Sequence, residues 1–371
     1  MTLVAGPGRS AATIAERLRA AADSVTPFTV GVEEEYLLVG LDGPSLVDRA
    51  ALIAAGADRD PRFRRELPPC QIEMATPPRS STREVEAELR AARQAVARWC
   101  TGRARPMAAA VHPAEATFAA ADTPRGAELV ARYGWLARSQ VLGSLQVHVA
   151  VGSADRLVAV HDELRAHLPH LAGLAAAAPF GEGVDREMAS IRPIIASMLP
   201  RQGTPPPLGS VDAYAAELGW GADSGALDDP TQWWWELRPH PRHGTLEVRV
   251  ADAQPRVEDS MAVVEVVVAL VRWLAARADA GDLPPPAATW RIEENRWAAA
   301  ISGLAGTFTD VRTGRRRAAD AVLGSLLDEV APWSERGLTR ARRLIEDPSY
   351  RRILAWGPGD AVDGLAGAFA G

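Results

Sequence analysis

Four short segments alternate so that ionisable side chains share one face of an extended strand and aliphatic side chains share the other. They are Gly31-Val32-Glu33-Glu34-Glu35-Tyr36-Leu37-Leu38, Cys70-Gln71-Ile72-Glu73-Met74, Leu145-Gln146-Val147-His148-Val149 and Thr245-Leu246-Glu247-Val248-Arg249-Val250. Residues two apart on a strand point the same way. Glu33 thus pairs with Glu35, Gln71 with Glu73, Gln146 with His148, and Glu247 with Arg249. The opposite positions, Leu145, Val147 and Val149 or Leu246, Val248 and Val250, belong against a core, which confines the polar groups to a cleft or an open surface. Carboxylates gathered on such a surface repel one another unless cations neutralise them. Bound metal is the economical explanation of the pattern.

The remaining chain narrows the class of partner. A net charge of −6 over 371 residues, with 47% hydrophobic and 24% charged residues, is ordinary for a globular protein and argues against nucleic acid or a membrane surface. The expected partners are small molecules. Cys70 and Cys100 are too few for a disulfide framework and are not spaced as a zinc motif, which fits a reducing, cytoplasmic setting. The segment Met1 to Ser24 has charges among its alanines and lacks the apolar run of a signal peptide, so residues 1–25 read as an arm or a helix. Met261 to Leu274, interrupted by Glu265 and Arg272, falls short of a roughly 20-residue membrane span and reads as a buried helix.

Along the chain, strands are expected at about 28–40 and 70–75, a helix from Thr82 to Trp99 opened by Ser80-Ser81, a further strand at Pro106 to Val111, and the clearest strand at Leu142 to Val151. Asp155 is placed as the N-cap of a helix over Leu157 to His167, with helix continuing over Leu171 to Ala178. Gln202 to Asp229, rich in Gly, Pro and acidic residues, reads as a long irregular segment over an opening. The polar-faced strands spread from 31 to 250 with no dividing linker. One α+β domain over 26–371 is expected, with a curved, mainly antiparallel sheet and helices packed on its back.

Assembled in order, these segments resemble the carboxylate-amine ligase family, the second type of glutamate-cysteine ligase, from about Phe28 to Phe308. The resemblance rests on Gly31-Val32-Glu33-Glu34-Glu35, on Gln71-Ile72-Glu73 with Thr76-Pro77-Pro78, and on Trp234-Trp235-Glu236-Leu237-Arg238-Pro239. Gly244-Thr245-Leu246-Glu247-Val248-Arg249 with Asp252, and Glu294-Asn295-Arg296-Trp297, complete it. It implies the catalytic fold of glutamine synthetase and an ATP-dependent ligase that forms a carbon–nitrogen bond. In that chemistry ATP phosphorylates a carboxylate, that of glutamate or another amino acid, and an amine attacks the acyl phosphate. Phosphoryl transfer asks mainly for positioning and charge neutralisation. Under this reading Glu33, Glu35, Glu73, His148 and Glu247 hold magnesium or manganese. Arg249 and Arg238, with Glu247, are the catalytic candidates. Gln71, Gln146, Arg192, Trp235 and Asn295 are candidates for substrate or nucleotide contact, and a homodimer is compatible with the Trp and Ala faces.

Plainer readings stand beside these. A Glu-Glu-Glu run can be a solvated face, His148 a hydrogen-bonded structural histidine, Trp233 to Trp235 core anchors, Asn295 structural and Arg201 a surface charge. A phosphotransferase on the same fold and a non-catalytic nucleotide-binding protein are the alternative functions. Two departures from the family pattern point toward changed substrate choice. Gln146 stands where the family usually has histidine, and Ala175-Ala176-Ala177-Ala178 precedes Pro179 where serines are usual, which predicts an enlarged or less polar pocket.

Overall fold

The computed structural model describes residues 11–369. Seven strands form one sheet: β1 Val30–Val39, β2 Phe63–Arg65, β3 Gln71–Ala75, β4 Arg105–Met107, β5 Ser144–Ala150, β6 Leu237–His240 and β7 Thr245–Asp252. Their order is β2-β3-β1-β5-β7-β6, with β4 also paired to β1, and all of these pairings are antiparallel. The α+β class with a mainly antiparallel sheet is what the alternation predicts. Val32, Leu145, Val147, Val149, Leu246, Val248 and Val250 are buried, and they join one core with the helix Val257–Asp279. That helix is apolar over most of its circumference, as burial between a sheet and further helices requires.

The aliphatic face carries one charge that the two-face pattern did not foresee. Glu34 points into the core, where Arg93 donates through Nε and Nη2 at 3.0 and 2.9 Å. The hydroxyls of Tyr36 and Ser260 also donate to it, at 2.7 and 2.5 Å. Burial would push this carboxyl up, but the Arg93 charge and these hydrogen bonds hold it below the usual range. A buried ion is tolerable only with such full satisfaction.

Other boundaries depart from the sequence reading for local reasons. Thr82–Cys100 begins where expected, because the Ser81 hydroxyl accepts from the Glu84 amide. The next helix starts earlier than Asp155: Ser153 caps Ala154–Leu164 by accepting from Arg156 N, and a short 3-10 turn, Arg165–His167, follows. Of the expected 106–111 strand only Pro106 and Met107 pair regularly, within the strand Arg105–Met107, with Val111 bridging Leu142. The long irregular segment contains a helix, Val211–Asp223, capped by Ser210. Its buried Val211, Tyr214, Ala215 and Leu218 follow the helical stripe i, i+3, i+4, i+7, a signal masked by the surrounding glycines.

Residues 11–23 form a helix whose Ile14, Ala15, Leu18 and Ala22 enter the main core and pack toward that same helix; residues 1–10 of the expected arm lie outside the described residues. Gly244 joins this helix to the β6–β7 turn. Its φ is +62°, and a Cβ there would sit 2.2 Å from the Ala21 carbonyl oxygen, so only glycine fits. Among the described residues no helix is long and apolar enough to cross a membrane.

Candidate active site

Strand register lays the polar side chains out along β1. His148 of β5 lies opposite Gly31 and Glu247; Glu33 lies opposite Gln146; Glu35 lies opposite Glu73; and Gln71 lies opposite Leu37. Read in the direction of β1, the cleft therefore runs from His148, through the glutamates, to Gln71. Its volume is about 520 Å3. Between Leu145/Ala251 and Val147/Val248 the register slips, so that Arg249 and Val250 together oppose Gln146. Such a bulge re-aims side chains. It brings Arg249 onto Gln146 and turns Asp252 to the face of its partner Ser144, which strict alternation from Glu247 would not do.

The ionisable groups divide into two clusters, in each of which one ligand atom per residue lies within 4.8 Å of the others: Glu33, His148 and Glu247, and Glu35, Glu66 and Glu73. In the first, His148 Nε2 is 3.6 Å from Glu33 and 4.0 Å from Glu247. That nitrogen is buried with no hydrogen-bond partner, while Nδ1 contacts the Thr245 hydroxyl at 3.0 Å. Arg238 donates to both oxygens of Glu247 at 2.6 and 3.1 Å, and Arg249 donates to it as well. Against burial, which would raise it, these arginines hold the Glu247 carboxyl well below the usual range. Burial would likewise lower His148, but the carboxylates of Glu247 and Glu33 raise it. This cluster carries its own counter-charges.

The second cluster lacks them. Burial, then repulsion from Glu66, pushes the Glu35 carboxyl up to about 7. Burial, with Glu33, Glu66 and Glu35 around it, drives Glu73 well above the carboxylate range. Glu66 is raised too, by burial first. The nearest cation is the exposed Arg64, 3.4 Å from Glu73. Glu35 accepts from Ser144 N at 2.7 Å, from Gln71 at 3.3 Å and from Gln146 at 3.1 Å, which stabilises its charge without cancelling it. Gln146 links the clusters. Its amide nitrogen donates to Glu35 while its oxygen accepts from Arg249. In this structure it is a hydrogen-bonded bridge and belongs to neither carboxylate cluster.

Both donor sets fit hard divalent cations: carboxylate oxygens, plus one imidazole whose free nitrogen faces two of them. Glu66 is the site residue that the sequence reading missed. It lies between the three-residue β2 and β3, beside Pro68-Pro69, where no periodicity marks a face.

Several other candidates sit differently from expectation. Arg192 borders the cleft, but its guanidinium is committed to Asp252 at 2.8 Å and to the carbonyl of Val250 at 2.7 Å. Asn295 lies off the cleft: its amide donates to the Thr309 carbonyl at 2.7 Å and accepts from the Thr309 amide at 2.8 Å. Both halves of its amide are thus spent on the hairpin Thr307–Thr309/Arg316–Ala318. Trp235 packs against the core, and its neighbour Trp234 lines the cleft instead. The 234–239 and 294–297 motifs meet in a buried Glu236–Arg296 ion pair, a scaffold rather than a binding contact. Ala175 to Ala178 do not line the cleft. Ala176 packs with Ala189 and Tyr350, and Ala178 with Ile191 and Ala110, so the predicted enlargement of the cleft there is not found.

This geometry agrees with what the chain is similar to. The description of glutamate-cysteine ligase family 2 matches residues 29–351. A proposed glutamate–cysteine ligase 2-2 of Rubrobacter xylanophilus is 31% identical over 334 residues, covering 88% of this chain and 87% of its own. A proposed glutamate–cysteine ligase 2 of Jannaschia sp. is 31% identical over 338 residues, 88% and 87% of the two chains. Among solved structures, glutamate–cysteine ligase of Francisella tularensis in complex with AMP superposes with a TM-score of 0.68 at 15% identity, covering 94% of this chain and 90% of that one. A bifunctional glutathione synthetase of Pasteurella multocida gives 0.65 at 14%, covering 95% and 54%. These two show the fold alone. The chain belongs to glutamate-cysteine ligase family 2 and is an ATP-dependent ligase that forms a carbon–nitrogen bond.

Proposed function

We propose that the cleft joins the carboxylate of an amino acid, glutamate being the first candidate, to an amine at the expense of ATP, with Arg249 at the transferred phosphate. The observation that carries this reading is the pair of carboxylate clusters, one with an imidazole, on either side of one arginine in a single cleft. Glu33, His148 and Glu247 would hold one magnesium or manganese ion, and Glu35, Glu66 and Glu73 another. Bound there, the ions would neutralise phosphate oxygens on either side of the transferred group.

The substrate carboxylate oxygen bonds to the γ-phosphorus as ADP leaves. The amine then attacks the acyl carbon, loses a proton, and phosphate departs. Arg249, held by Glu247 and Gln146, faces the charge that builds on the transferred phosphoryl group. Arg238 is a positioning residue: its two bonds to Glu247, and others to the Thr231 and Trp233 carbonyls at 2.6 and 3.0 Å, fix that carboxylate. Gln71 and Gln146 orient Glu35. We take 26–371 as one catalytic unit, a reading supported by a main core with members from Val30 to Phe369, onto which Ile14, Ala15, Leu18 and Ala22 of helix 11–23 also pack. The buried, unpaired Cys70 and Cys100 suit a reducing compartment.

The test is ADP release from the full chain with magnesium, ATP and pools of amino-acid carboxylates and amines, with mass spectrometry of products. A condensed amide supports the reading; a phosphorylated acceptor without amide would replace it with a phosphotransferase.

A further inference from the structure

Past Gln71 the cleft continues into an annex with an apolar wall made by Leu129, Tyr133, Ala137, Ala196, Leu199 and Trp234. These residues come from the helices Pro124–Tyr133, Trp135–Arg138 and Arg192–Ala196 and from the segments after 196 and before β6. The annex joins the Glu35 end of the site. Gln71 Nε2 donates at 2.6 Å to the Leu142 carbonyl, and Gln140, two residues before Leu142, ties the wall together by donating to Leu136 and Ile195 carbonyls at 3.2 and 3.1 Å.

Trp234 is held as a panel. Tyr133 meets it edge-on at 6.0 Å, and the Arg201 guanidinium lies 5.4 Å from its ring while Arg201 Nε donates to the Gln232 carbonyl at 3.0 Å. Of the cations at the margin, Arg192 is paired with Asp252, whereas Arg125 donates to the neutral Thr231 hydroxyl at 3.0 Å and keeps its charge. Two half-buried aromatic rings and aliphatic carbon thus make one wall of the annex, while Thr123, Arg125, Gln202 and Thr231 also line the cleft. A thiol-sized or short charged group would leave that surface wet, whereas a large apolar group would dry it.

We propose that the annex receives a bulky apolar side group, branched aliphatic or aromatic, carried by one of the two substrates, either the carboxylate or the amine. This rests on the ligase reading above for its context. Adenine is also flat and partly apolar, but placing it here would lay its polyphosphate across the second cluster first; the test separates the two occupants.

Full-length protein with magnesium and ADP is titrated calorimetrically with 2-phenylethylamine against methylamine, and with 3-phenylpropionate against acetate. We expect one aromatic probe to bind at least tenfold more tightly than its small counterpart, and which one it is assigns the annex to the amine or to the carboxylate. Tyr133→Ala, at the end of a helix and half-exposed, and Ala196→Phe, which fills the space, should each reduce that preference about tenfold and leave ADP affinity within a factor of about two. Should Ala196→Phe melt early, Tyr133→Ala carries the test alone. Equal binding within both pairs overturns the proposal, as does a loss of ADP affinity in the variants, which would place adenine in the annex. Turnover of the same compounds is read separately by ADP release: an aromatic probe bound but not turned over counts against the ligase reading and leaves the annex standing, whereas turnover without that binding preference removes the annex and keeps the ligase.

Discussion

The two carboxylate clusters sit side by side on the same face of the same sheet, yet they are opposite in electrostatic state. In the first cluster Glu247 is gripped by Arg238 and Arg249 and held anionic, and His148 lies between it and Glu33. Glu35, Glu66 and Glu73 have only the exposed Arg64 in ion-pair contact, and all three are raised although Arg249 acts on Glu35 and Glu66 from farther off. Removing a charge from the first cluster strands an arginine; removing one from the second relieves a repulsion. Similar residue types have opposite consequences, because the number of nearby cations, not the number of acids, sets the sign.

The largest expected effect breaks the first cluster. Glu247→Gln leaves the buried Arg238 and the partly buried Arg249 without their carboxylate. Substrate-dependent ADP release should fall on the order of a thousandfold, and denaturant unfolding should show a loss of roughly 3 kcal/mol. A variant that keeps wild-type turnover would remove Glu247 from the site. Glu73→Gln should act with the opposite sign on stability. In chelator at pH 8 the variant gains about 1 kcal/mol, while the stabilisation that magnesium confers on wild-type protein shrinks. Destabilisation in chelator would mean that the second cluster is compensated after all.

A smaller effect follows from Glu35. Its carboxyl rises from 4.5 to about 7 on folding, so the folded state binds the proton more tightly than the unfolded chain. The contribution to stability is complete below about pH 4.5 and is lost as the pH rises through about 7. Thermal melts in chelator should record this loss between those limits. With saturating magnesium the slope should flatten, because the cation replaces the proton; parallel slopes with and without magnesium would show that no cation binds at this carboxylate. The smallest effect on activity is expected of Asn295→Ala. It removes two hydrogen bonds to Thr309 and should cost about 1–2 kcal/mol without changing the KM for ATP, and a changed KM would return Asn295 to the nucleotide.

How legible all this was in the chain can be judged residue by residue. Alternation on β1, β3, β5 and β7 placed Glu33, Glu35, Glu73, His148 and Glu247 on one face because the period of a strand is two and the aliphatic partners had to be buried. Glu66 was invisible to that argument, since it lies in a turn, as was the choice of Trp234 over Trp235, which precede β6 in irregular backbone. Glu34 was grouped with its neighbours in sequence although it faces the core. Asn295 and Arg192 were read as contact residues because their types suit ligands; their hydrogen bonds are made instead to the Thr309 backbone and to Asp252.

The sequence by itself determined which side chains share a face, the α+β class and the ligase family, because periodicity and motif order are local properties of the chain. Only the tertiary structure decided that the acids split into two clusters, that Gln146 bridges them, and that one cluster is neutralised and the other is not. Those outcomes depend on register across strands, on the bulge at Arg249 and Val250, and on where Arg238 and Glu66 arrive from other segments. Charge compensation is fixed by distances through space, and spacing along the chain does not encode them.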